Sequence, residues 1–156
     1  MMPLHKLKNL MRRPRFELFW LLPAWLLLGL HRLMIKAIPL RYFAPYFGTQ
    51  LGISSFVPLL SPVQTRRAIA LGRVVQTAAR YTPWESNCFP QALTARQLLA
   101  WYGIPYSLFF GVQTAPFAAH AWVVAGRVRV AGGESFSCFT VVSCFTSVIP
   151  ASFNQA

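Results

Sequence analysis

The stretch Trp84-Glu85-Ser86-Asn87-Cys88-Phe89-Pro90-Gln91-Ala92-Leu93, continued by Thr94 to Gly103, decides the fold. Ser86 or Asn87 can cap a helix there, and Pro90 suits its first turn, where a missing N–H costs nothing. Gly103, followed by Ile104-Pro105, supplies the stop. Cys88 therefore belongs to the first turn of a helix. The unpaired N–H groups at that end carry a partial positive charge, which favours thiolate over thiol. Further along, Phe117-Ala118-Ala119-His120-Ala121-Trp122-Val123-Val124 reads as a strand carrying a histidine between small and aromatic neighbours. An imidazole brought beside such a cysteine can take its proton and later return it to a leaving amine.

Working outward, Tyr81-Thr82-Pro83 closes a preceding helix, because proline cannot continue the backbone ladder. That helix is expected from a Thr65 cap to about Arg80. Ile69, Val74, Val75 and Ala78 fall on its apolar side, and Arg66, Arg67, Arg73 and Arg80 largely on the other. After Pro105 the pattern turns to strand residues over 106–112, then a loop at Thr114, Ala115 and Pro116. A second strand follows at 118–124, and Ala125-Gly126 turns into a third at 127–130, its arginines outward. Gly132-Gly133-Glu134 makes a further turn, and the tail from Phe136 to Ile149 supplies one more strand or a short helix. The class is α+β: a cysteine at a helix N-terminus packed on a small antiparallel sheet.

The N-terminal part differs in character. Residues 1–62 read as a basic, hydrophobic, helical extension and 63–156 as the core, within one domain's worth of chain. Leu18 to Leu30 run apolar, short of the roughly 20 residues a spanning helix needs. Pro23 and Trp25, and the lack of a small-residue cleavage site, argue against a signal peptide. A buried helix that covers the core or docks a partner is expected; a membrane-surface helix and an exported or spanning segment are the alternatives. Four prolines between Pro39 and Pro62, with Gly48 and Gly52, imply a connector with one short helical turn.

Composition narrows the chemistry. The chain is 55% hydrophobic, so some apolar surface is expected to face a partner or a membrane. Its net charge of +12 sets fifteen Lys and Arg against Glu17, Glu85 and Glu134, with no aspartate to build an Asp-based metal site or acid pair. Eight of the basic residues lie in the first 41 positions, which suits an anionic membrane or an acidic peptide. Nucleic acid is not expected, since no recognition signature accompanies the charge. Three cysteines without a CxxC pair or a Cys/His cluster exclude a disulfide framework and a zinc site, and fit a reducing cytoplasm. No metal and no cofactor are expected. Cys138 and Cys144, in a Phe/Val-rich stretch, read as core thiols.

A cysteine opening a helix, a helix ending in Gly103-Ile104-Pro105, a strand ending in Gly111-Val112, and Ala-His-Ala-Trp-Val with its histidine 32 residues after the cysteine resemble one known family. It is the B2 leader peptidases of lasso-peptide biosynthesis, cysteine proteases of transglutaminase-like (papain-like) fold, and the resemblance covers about 66–145. The short N-terminal half resembles the stand-alone, split form. The resemblance implies removal of the leader from a ribosomally made precursor peptide, in the cytoplasm or peripherally at the inner face of the membrane. It also implies a separate leader-recognition B1 protein and a lasso cyclase as partners.

On this reading Cys88 is the nucleophile and His120 the general base, with Asn87, Phe89, Gln91, Trp84 and Trp122 in the substrate and oxyanion vicinity. Trp84 and Trp122 are expected chiefly to pack and to set the site's geometry. The family's orienting aspartate falls about twelve residues after the histidine, which here is Gly132. Glu134 is the nearest carboxylate; a backbone carbonyl or an amide of Asn87 or Gln91 could orient the ring instead. Two other functions stay open: acyl transfer by a transglutaminase- or amidase-like enzyme, and a catalytically degenerate scaffold at a membrane surface.

Overall fold

The computed structural model describes residues 13–133 and 135–147. Its elements in chain order are α1 (Arg15–Ala37), two 3-10 turns (Leu40–Tyr42 and Ala44–Phe47), β1 (Thr49–Gly52), α2 (Pro62–Arg80), α3 (Cys88–Trp101), β2 (Ser107–Thr114), β3 (Phe117–Ala125), β4 (Val128–Ala131), a 3-10 turn (Ser135–Cys138) and β5 (Thr140–Thr146). The strands form one antiparallel sheet in the order β1-β5-β2-β3-β4. β2 and β3 make the longest hairpin, with Ser107 opposite Val124 and Gly111 opposite His120.

Alternation along the strands divides the core in two. Leu108, Phe110, Ala121, Val123 and Phe145 face the helical layer, where they meet Leu71, Val74 and Val75 of α2 and Leu93, Leu98 and Leu99 of α3. On the other face Leu51, Phe109, Trp122 and Cys144 form a smaller cluster, covered by Phe56, Phe139 and Val141. The helices thus cover one face of the sheet and irregular segments the other.

α2 begins earlier than the Thr65 cap expected from sequence. Ser61 is the cap: its hydroxyl accepts from Gln64 N–H while the Gln64 side chain accepts from Ser61 N–H, with Pro62 opening the helix. Its inner face is Ala68, Leu71, Val74, Val75 and Ala78, whereas Ile69 is exposed. The connector holds two 3-10 turns and an unforeseen strand, β1, paired with β5. The tail forms strand β5, seated between β1 and β2. Cys144 is a core thiol, but Cys138 is exposed, on a 3-10 turn outside the sheet.

The apolar run 18–30 belongs to a 23-residue helix that accommodates Pro23 and, contrary to the expectation from the run alone, is long and apolar enough by length and composition to cross a membrane. Glu17, Ala24, Leu28 and His31, at helical spacing, point inward against α2 and α3. Glu17 is ion-paired with Arg13 at 3.0 Å and lies 3.8 Å from Arg73. His31 Nδ1 lies 3.0 Å from Thr94 Oγ1 inside the core. Burial, aided by the nearby Arg96 charge, lowers the His31 pKa from 6.5 to about 4, so its ring is neutral in the folded protein.

Candidate active site

The loop between α2 and α3 is tied to both neighbours. Thr82 Oγ1 lies 2.9 Å from the carbonyls of Ala79 and Trp84 and from Ser86 Oγ; its single proton serves one carbonyl while its lone pairs can accept from Ser86. Gln91 reaches back from the first turn of α3 and donates to the Ser86 carbonyl at 2.6 Å. Trp84 packs on Trp25, 4.8 Å between ring centroids, and against Gly29, and Arg32 donates to the Glu85 carbonyl. Trp84 thus joins the loop to α1 as a packing residue.

Asn87 occupies the cap position in extended conformation, yet its side chain makes no capping bond. Among the described residues the first-turn N–H groups of α3 have no side-chain acceptor, and Pro90 contributes no N–H. Cys88 is half-buried on this turn. Its neighbours Asn87, Phe89 and Pro90, but neither Cys88 nor His120, join Arg32, Lys36 and Glu85 around a cleft of about 200 Å³ whose wall carries two cationic side chains and one carboxylate.

His120 is held more elaborately. Its ring is stacked on Phe139 (centroids 4.8 Å apart, planes at 26°) and on Trp122 (5.8 Å, 24°), and Trp122 in turn stacks on Phe109 at 5.5 Å. Across the hairpin stands Gly111, and a Cβ there would lie 2.9 Å from the Trp122 ring and 3.0 Å from Phe139. Only a residue without a side chain lets both rings close around the imidazole. His120 Nε2 is 2.6 Å from the Gly132 carbonyl. A carbonyl can only accept, so Nε2 carries the proton and Nδ1 the lone pair. Gly132, at φ +102, has room for nothing larger: a Cβ would sit 2.3 Å from Trp122 Cβ.

The first turn of α3 lies over the hairpin at the level of His120. Phe89 stacks on Phe110 at 5.7 Å, and Phe110 pairs with Ala121, beside His120. The imidazole shares the sheet face of Trp122, not the helix-packed face of Ala121 and Val123, and no hydrogen bond joins it to Cys88. Trp122 is buried and serves as packing beneath His120. Asn87 and Gln91 direct no hydrogen bond to the ring; Gln91 is committed to Ser86. Glu134 lies outside the described residues. Among the described residues no group of three or more His, Cys, Asp or Glu could hold a metal ion. Sequence reasoning notes Gly111 only as part of the strand ending in Gly111-Val112 and does not reach Phe139, because the proximity of both to His120 depends on strand register.

The sequence profile of the transglutaminase-like superfamily matches residues 34–144, a span that includes both motifs, α2, α3 and most of the sheet. No curated protein and no solved structure matches the chain.

Proposed function

The chain belongs to the transglutaminase-like superfamily, and on that premise we propose that it is a cysteine endopeptidase that removes the leader from a ribosomally made lasso-peptide precursor. Cys88 is the nucleophile and His120 the base. The observation that carries the reading is the 2.6 Å contact between His120 Nε2 and the Gly132 carbonyl. It sits at the position, twelve residues after the histidine, where the lasso family places its aspartate, and it imposes the tautomer that leaves Nδ1 as proton acceptor. We assign the orienting role to this carbonyl rather than to Glu134.

In the reaction, Nδ1 takes the Cys88 proton and the thiolate attacks the scissile carbonyl. Backbone N–H groups of the first turn of α3 receive the developing oxyanion. The imidazolium returns its proton to the departing amine, and water then hydrolyses the thioester. A carbonyl orients the ring as a carboxylate does but adds less stabilisation to the imidazolium, so slower turnover is the expected cost. Cys88 rides on the helix-covered side of the sheet and His120 on the other, so the proton transfer requires the first turn of α3 and the imidazole to be brought together when the precursor binds. The Arg32 and Lys36 wall suits a peptide carrying acidic side chains. A leader-recognition B1 protein delivers the precursor, and a cyclase consumes the freed amino terminus.

The test incubates the full chain with a precursor peptide and its recognition protein and follows products by mass spectrometry. Hydrolysis between leader and core, absent in Cys88→Ala, supports the reading. A new amide in place of a free carboxylate would move the assignment to acyl transfer, and no Cys88-dependent product at all would overturn it.

A further inference from the structure

We propose that the outward face of α1 rests on an anionic lipid bilayer, the helix lying in the plane of the interface. This surface meets the cleft beside Cys88 only at Lys36, and the proposal stands whether or not that site is a peptidase.

Successive outward positions of α1 are Phe19, Leu22, Leu26, Leu30 and Leu33, spaced three or four residues apart and between 52% and 71% exposed. They make an apolar stripe about 21 Å long. Arg15 extends the stripe at one end and Lys36 at the other, both exposed. Cations terminating an apolar stripe are placed to reach lipid phosphates while the stripe enters the acyl boundary. Trp101 and Tyr46 are also exposed and share with Leu30 the walls of a 540 Å³ apolar cavity between α1 and α3, and Trp101 lies 5.8 Å from the Trp20 ring. Tryptophan and tyrosine beside such a stripe suit the headgroup level, where one end of the ring is apolar and the other wet.

α1 is long and apolar enough to cross a membrane, but its inner face disfavours a transmembrane course. Ala24 and Leu28 are fully buried, Glu17 is ion-paired, Trp20 Nε1 donates to Tyr102 Oη at 2.6 Å, and Trp25 Nε1 donates to the Tyr81 carbonyl at 3.2 Å. Crossing a membrane would break these contacts and carry Glu17 and His31 into hydrocarbon. A second copy is disfavoured as the occupant because each chain carries a net charge of +12. A protein partner is the weaker fit, since the five outward positions offer no hydrogen-bonding side chain, whereas protein interfaces carry about one hydrogen bond per 100–200 Å². A bilayer needs none, and its anionic headgroups answer the charge.

The experiment co-sediments the full chain with vesicles of phosphatidylcholine alone and of phosphatidylcholine mixed with phosphatidylglycerol. Expected is binding to the anionic vesicles, several-fold weaker on neutral ones and at high salt, and weakened about tenfold by Leu26→Glu. Circular dichroism checks that this surface substitution leaves the fold intact. If the variant does not fold, quenching of tryptophan fluorescence by brominated lipids in the unaltered chain decides the matter, because Trp101 should be quenched. Absence of binding, equal binding to neutral vesicles, no quenching, or a concentration-dependent dimer that Leu26→Glu dissociates would each overturn the proposal.

Discussion

Mild acid should loosen the docking of α1 through one residue, His31. The ring is buried between α1 and α3, 3.0 Å from Thr94 Oγ1, with Arg96 nearby on the same side. Its folded pKa is about 4 against 6.5 for an ordinary histidine, so between these values the unfolded chain binds a proton that the folded chain refuses. Stability is therefore intact above pH 6.5 and is lost as pH falls toward 4, by about 3 kcal/mol in total. About 2 kcal/mol of this is gone by about pH 5, before ordinary carboxylates titrate, and the chain has only three acids to compete. Urea unfolding at a series of pH values measures it: the midpoint should fall by about 1 M between about pH 7 and pH 5. His31→Gln keeps a polar side chain toward Thr94 but cannot titrate, so its midpoint should stay nearly constant. If both proteins lose stability in parallel, His31 is not the acid-sensitive group.

Other substitutions probe the packing and the site. Leu28→Ala removes a fully buried side chain between α1 and the core and should cost about 2–5 kcal/mol in denaturant unfolding. Gly132→Ala forces a Cβ to within 2.3 Å of Trp122 at φ +102, so the turn must move. It should lose about 3 kcal/mol of stability and displace the carbonyl from His120, which urea unfolding and the His120 imidazole NMR signals would reveal together. Phe139→Leu removes one wall of the imidazole clamp. It should lower kcat on precursor peptide about tenfold with KM little changed, with Phe139→Tyr restoring most of the loss.

How much of this was legible in the sequence follows from which signals are local. α3 begins at Cys88 and gives way to Gly103 as expected, because its punctuation, Pro90 and the glycine, is local chemistry. The β2–β3–β4 meander followed from Pro116, Gly126 and the strand-forming runs between them. α2 starts one turn before Thr65, the cap its hydroxyl suggests, because the reciprocal Ser61/Gln64 pair satisfies the helix end there. β1 left no trace: four residues between turns become a strand only by pairing with β5, almost a hundred positions away. At the site, the spacing of Cys88 and His120 stood out and the gap at Gly132 was visible, but a backbone carbonyl has no residue signature. The imidazole clamp was hidden for a related reason. Phe139, Trp122 and Gly111 converge on His120 only once two strand pairings are set, including the shift of β5 between Phe110 and Gly111.

The most direct test of the central claim is the rate of iodoacetamide alkylation of Cys88 against pH, read by mass spectrometry beside Cys138 and Cys144, in the wild-type chain and in His120→Ala. An isolated thiol is mostly protonated below about pH 8.5. With precursor peptide and its recognition protein present, Cys88 should react readily well below that pH, and His120→Ala should abolish the advantage. Cys144 should stay slow throughout, its burial holding the thiol form. A Cys88 that reacts no faster than exposed Cys138 at low pH, or identically with and without His120, would contradict the thiol–imidazole pair on which the proposed peptidase rests.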